Sequence, residues 1–153
     1  MKAIYWIIAA AAFVFAGPVQ AGVNDPEVVI YRFPGVRDDG GLPLAGVATV
    51  FACTNFSGAT EKVRFVVRDN PGPIKANEVF PVNHLETIHI ATHGPLAYLT
   101  DNLNTGGMEG TAAIAATSIN VICTAMAISA STAAPVGVAL RGIRFNPVPG
   151  SQE

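Results

Sequence analysis

Hydrophobic and polar positions alternate most cleanly between Glu61 and Asp69. Val63, Phe65 and Val67 stand between Lys62, Arg64 and Arg68, and only Val66 falls out of step. A period of two predicts a strand with one buried and one wet face, paired antiparallel. Val47 to Phe56 reads the same way, with Val47, Thr49, Phe51, Cys53 and Asn55 on one face. Glu27 to Phe33 sets Val28, Ile30 and Arg32 against Val29, Tyr31 and Phe33, and Pro34-Gly35 is expected to end that strand. Glu78 to Thr92 predicts one or two strands, with Pro81 arguing for an edge position. Leu96 to Thr100 predicts a short strand. Val138 and Leu140 share one parity and Ile143 and Phe145 the other, so a β-bulge is expected around Gly142 in a closing strand from Val136 to Phe145.

The longest apolar stretch, Gly110 to Leu140, contains no charged side chain. A membrane-spanning helix needs about 20 predominantly apolar residues. This stretch is rich in Ala, Ser and Thr, contains Asn120, and is broken by Pro135 and Gly137. A buried Ala-rich helix is the nearer rival. The β-branched residues Thr111, Ile114, Thr117, Ile119, Val121, Ile122, Thr124 and Ile128 favour strands instead. Periodicity alone does not separate the two. The expectation is two core strands with a turn near Thr117-Ser118.

Turn chemistry fills the gaps. Arg37-Asp38-Asp39-Gly40-Gly41, Asn70-Pro71-Gly72-Pro73 and Asp101 to Gly107 have loop composition, and Asn146 to Glu153 reads as a polar tail. Short strands with regular turns give an all-β fold, a single antiparallel β-sandwich of Ig-like or jelly-roll-like kind with about seven or eight strands.

The N-terminus places that domain. Lys2, an apolar run from Ile4 to Gly17, and Val19-Gln20-Ala21 form a secretory signal peptide over residues 1–21. Residues 22–153 are then one domain, exported to the periplasm or the extracellular medium, with no membrane span after cleavage. The formal net charge is −2 and there is no basic block, which excludes nucleic acid as a partner class. Only 13% of residues are charged and 50% are hydrophobic, so the outer faces are weakly charged and suited to self-association or an unidentified protein partner.

Export also decides how Cys53 and Cys123 are read. An even pair in an oxidising compartment is a disulfide. Closing a loop of about 70 residues stabilises by about 4 kcal/mol in the chain-entropy treatment. No Cys-x-x-Cys spacing and no histidine beside either cysteine points to a redox or metal role.

Candidate chemistry is sparse. His84, His89 and His93 are the three histidines and could serve zinc or copper. In a strand, His84 and His89 point to opposite faces, and His89 and His93 lie about 13 Å apart. A shared site would need a bend, such as His93-Gly94-Pro95. Asp38 and Asp39 are adjacent carboxylates in a Gly-rich loop and are expected to be solvated. Arg64 and Arg68 share a wet strand face and could meet an anion. Asp101 to Gly107 has only a fragment of calcium-loop spacing, since Leu103 falls where an oxygen ligand is needed. Asn55-Phe56-Ser57 matches the glycosylation acceptor pattern. There is no H-E-x-x-H and no G-x-S-x-G. No catalytic residue and no cofactor is assigned.

The segments CTNF at 53–56, VRFVVRD at 63–69, GTAAIAATS at 110–118, CTAM at 123–126 and RFNP at 144–147 resemble small exported bacterial proteins, of proteobacterial type, with a two-cysteine β-rich domain. That group has no known function. The resemblance implies export and a β-rich domain and transfers no site residues. The functional expectation is an exported non-catalytic structural or binding module of the bacterial cell envelope. The alternative is a periplasmic metal-binding protein using His84, His89 and His93.

Overall fold

The computed structural model describes residues 26–40, 44–70 and 72–145. These residues form β1 (Val28–Asp38), β2 (Val47–Asn55), β3 (Glu61–Asp69), β4 (Ile74–Val82), β5 (Thr87–Ala91), β6 (Asp101–Asn102), β7 (Met108–Ala116), β8 (Val121–Ser129), β9 (Gly137–Leu140) and β10 (Ile143–Arg144). They contain no helix, and so none long and apolar enough to cross a membrane. One sheet runs β10-β1-β7-β3-β4 and the other β6-β5-β2-β8-β9. The two pack face to face as a β-sandwich.

Alternation builds the core. Val63, Phe65 and Val67 of β3 are completely buried, and so are Phe51 and Cys53 of β2. Ile90 of β5, Ile114 of β7 and Val121 of β8 meet them from the remaining strands. A chain of rings runs through this core. Tyr31, Phe33, Phe51, Phe65 and Phe80 lie with successive centroids 5.8–5.9 Å apart. Edge-to-face and offset pairs at this spacing add stabilisation beyond area burial.

The charge-free stretch forms the two expected strands, β7 and β8, and its last four residues add a third, β9. β7 and β8 flank a turn at residues 117–120, and they lie in different sheets. Cys53 and Cys123 are disulfide-bonded with Cα atoms 4.2 Å apart. They are register partners on β2 and β8, so the bond joins neighbours within one sheet. The Cα spacing is that of a non-hydrogen-bonded antiparallel pair, where side chains stand closest. A disulfide is compatible with an oxidising compartment.

Four sequence expectations change. β1 does not end at Pro34-Gly35 but continues to Asp38, because register shifts at Val29/Tyr31 and Pro34/Val36 absorb the irregular residues while pairing with β7 goes on. Leu96 to Thr100 is not a strand; it crosses the outside of the second sheet and delivers the two-residue β6, which pairs parallel to β5. The strand count is ten among the described residues, the excess over eight coming from the short β6 and β10. The closing segment is not one bulged strand. β9 pairs with β8 in one sheet and β10 with β1 in the other. Gly142 marks the crossing. A Cβ there would sit 2.4 Å from Phe33 Cε1, so only glycine lets the backbone pass the core at that point. The expected signal peptide and the polar tail lie outside the described residues.

Candidate functional site

The most elaborate polar cluster gathers where β1 ends. Asp38 is the last residue of β1 and is 2% exposed. Its Oδ1 accepts the Gly40 N–H at 2.8 Å and lies 3.0 Å from His93 Nδ1, while Oδ2 accepts the Thr105 hydroxyl at 2.6 Å. His93 follows β5 and is buried; its Nε2 lies 2.9 Å from the Ala45 carbonyl oxygen. Acceptors therefore face both ring nitrogens of His93. Asp39 Oδ2 accepts the Val47 N–H at 2.8 Å. Thr49 continues the mesh, donating its hydroxyl to the Arg37 carbonyl at 2.8 Å and its N–H to Thr92 Oγ1 at 3.0 Å. A small cavity of about 180 Å³ opens beside Asp38 and His93, walled by Asn102, Asn104 and glycine backbone.

This arrangement ties three separate loops to one carboxylate. A general base needs its distal ring nitrogen facing a reacting proton. Here that nitrogen faces a backbone carbonyl. Asp38, Asp39 and His93 each offer a ligand atom within 4.8 Å of the others, the one group of three or more metal-capable side chains among the described residues.

The three histidines are held by different partners. His84 is exposed and its Nδ1 accepts the Gly58 N–H at 3.0 Å. His89 stacks on Tyr98, with ring centroids 5.3 Å apart and planes 20° apart. Only His93 joins the group that could hold an ion. The expectation that Asp38 is solvated is overturned, because β1 runs on far enough to carry it under the loops; Asp39 is exposed as expected. Arg64 makes a two-pronged pair with Glu27 and donates to Asn77 Oδ1 at 3.0 Å. The hydrogen bond to Glu27 holds its guanidinium above the ordinary arginine value. Arg68 donates to the Gly72 carbonyl at 3.1 Å. Asn55 is fully buried and its amide donates to the Ala59 and Val82 carbonyls, which closes the acceptor motif in the folded chain.

Two residues emerge that pattern reading passed over. Thr105 sat inside a stretch of loop composition. Glu61 is 0% exposed at the start of β3. Thr117 donates its hydroxyl to Glu61 Oε2, and Oε1 has no partner. The signal for Glu61 was present, since it shares the parity of Val63, Phe65 and Val67.

Charge is divided between the two outer faces. β3 presents Lys62, Arg64 and Arg68 outward, and β1 presents Arg32. β2, β5, β8 and β9 contain no Lys, Arg, Asp or Glu, and the short edge strand β6 of the same sheet carries the exposed Asp101. On the outside of that sheet the 94–100 segment covers Val50, Ala91 and Ile128, with Tyr98 over Met126. The other half stays bare, and there the Thr54 and Thr87 hydroxyls bond to each other at 2.7 Å. No protein-family model, no curated protein and no solved structure matches this chain.

Proposed function

We propose that the chain is an exported, non-catalytic structural or binding module of the bacterial cell envelope. One observation carries this reading. The polar groups with the best geometry for chemistry, Asp38 and His93, are both turned inward on partners of their own chain. The surface meanwhile offers a sheet face that is uncharged over β2, β5, β8 and β9. Sites of catalysis gather polar groups from several loops toward a pocket. This cluster gathers them toward each other, which is what a rigid scaffold needs.

The test is native mass spectrometry of the protein recovered, without chelators, from an exporting bacterial host. The reading expects the mass of residues 22–153 less two hydrogen atoms. A full-length, reduced, cytoplasmic chain would overturn it.

A second reading, periplasmic metal binding, is favoured by the spacing of Asp38, Asp39 and His93. It reaches His93 but leaves His84 and His89 with other partners. One equivalent of zinc or copper in the same spectrum, lost with His93→Ala and kept with His84→Ala and His89→Ala, would establish it in that form.

A further inference from the structure

The fold sorts the cations. Eight Lys and Arg follow Lys2, and seven of them stand on strands of one sheet, β10-β1-β7-β3-β4; the eighth, Arg141, lies in the crossing between β9 and β10. No stretch of sequence shows this, because alternation spaces the cations and only strand pairing sets them side by side. Three of the seven are answered by carboxylates: Arg37 by Glu109, Arg64 by Glu27 and Lys75 by Asp69. Arg144 leans over the Tyr31 ring and donates to the Ile119 carbonyl. The remaining three, Arg32, Lys62 and Arg68, point outward with no carboxylate partner among the described residues. This face therefore carries three surplus positive charges on a chain whose formal net charge is −2. The strands of the opposite sheet carry no Lys or Arg.

Register sets an aliphatic side chain beside each arginine of this face. Arg32 lies opposite Ile143 of β10, Arg64 opposite Val79 of β4, and Arg68 opposite Ile74 of β4. Cross-strand partners stand on the same side of a sheet. The register shift between Val67 and Arg68 is what brings Ile74 to the outer side. All three aliphatic residues are exposed: Ile143 at 56%, Ile74 at 50% and Val79 at 36%. Between them β7 raises only the short side chains of Thr111, Ala113 and Ala115.

We propose that this face docks on an anionic lipid bilayer. The inference rests on the reading of the chain as an envelope module and names what it binds. Surplus cations are drawn to anionic headgroups, each one near the surface strengthening binding roughly fivefold. The aliphatic partners supply what a purely ionic contact lacks. Long cationic side chains keep their charge at headgroup level while apolar neighbours enter the acyl boundary. The layout favours a surface over a single polymer. Ile143 stands on one edge strand and Ile74 and Val79 on the other, four strand spacings away, or roughly 19 Å. Lys62 and Arg68 are roughly 20 Å apart along β3. A linear polyanion follows one line, whereas a bilayer meets all of these side chains at once.

Co-sedimentation with vesicles tests the proposal, using the chain recovered from an exporting host. The chain is expected to pellet with an equal mixture of phosphatidylglycerol and phosphatidylcholine and to stay in solution with phosphatidylcholine alone. Raising NaCl to about 1 M, where screening sets in beyond about 3 Å, should release most of it. Arg32→Gln, Lys62→Gln and Arg68→Gln are each expected to weaken binding about fivefold, and the triple variant about a hundredfold. All three side chains reach solvent, so melting should not change. Ile143→Ser should weaken binding about threefold and leave its salt dependence as it was. Ile122→Ser, on the outside of the opposite sheet, should alter neither. Equal binding to both kinds of vesicle overturns the proposal, and so does binding indifferent to the triple variant. A chain that ignores vesicles but is retained on dextran sulfate also overturns it, in favour of a linear polyanion. A processed, oxidised chain that binds no vesicle would sink the bilayer proposal and leave the export reading standing. An unprocessed, reduced chain that still pelleted with the anionic vesicles would do the reverse.

Discussion

Cys53 and Cys123 stand directly opposite each other on neighbouring strands, with both side chains turned into the core. β2 and β8 are already paired from Val47 to Asn55, so the bond is not what brings these strands together. Its effect is on the unfolded chain, whose loop of about 70 residues it closes for about 4 kcal/mol. The Cys53→Ala/Cys123→Ala variant should therefore keep its β spectrum and lose about 3–4 kcal/mol in urea unfolding. A loss below about 1 kcal/mol would mean that the unfolded chain is already compact around this pair.

Asp38 serves three donors, and removing it strands all of them. Asp38→Ala is expected to cost about 3–5 kcal/mol, because it leaves the buried His93 ring and the Thr105 hydroxyl unpaired. His93→Ala should be costly too. The double variant should lose clearly less than the sum, since each single change exposes the other partner's desolvation. Urea midpoints of the four proteins give the coupling directly, and additive losses would contradict a shared network.

Glu61 is the opposite case, a buried carboxylate with one oxygen satisfied and one not. Glu61→Gln keeps an acceptor for the Thr117 hydroxyl and removes the buried charge. It is expected to raise stability by about 1 kcal/mol at neutral pH. A loss of similar size in the same unfolding assay would show that the carboxylate has a partner in solution.

Gly142 is where the chain leaves one sheet for the other, with Phe33 against it. Gly142→Ala should force that ring or the backbone aside, at about 1–3 kcal/mol. Hydrogen exchange should localise the effect, with Tyr31 and Arg32 losing protection as β10 lifts from β1. Phe33→Leu in the same background should restore part of it. Uniform loss of protection across β3 and β7 would instead point to collapse of the core.

Period-two patterning carried the fold a long way. β3 begins and ends where alternation places it, β2 differs by one residue, and the charge-free stretch divides into β7 and β8 at its expected turn. These strands are half buried, so the pattern reports the fold directly. Reading failed where backbone geometry, and not side-chain type, decides. Pro34-Gly35 looked like a terminus because a bulge and a turn share their residues. Gly142 looked like a bulge because a strand that changes sheets also switches parity. The Asp38 cluster was half legible. His93 stood out as one of three histidines, but its partners lie 55 and 48 positions away along the chain, and Thr105 lies 67 from Asp38. No local pattern reports contacts at that separation.

Strand order also governs when this chain can fold. β1 needs β7 and then β10, and β2 needs β5 and β8; among the longer strands only β3 with β4 can pair with an immediate follower. Loop closure must precede these contacts, which makes such topologies slow. Neither sheet closes before the chain has emerged as far as Ser129, and the last pairing waits for Arg144. Until its last strands arrive the chain can hold the β3–β4 hairpin and part of one sheet, but not the finished sandwich.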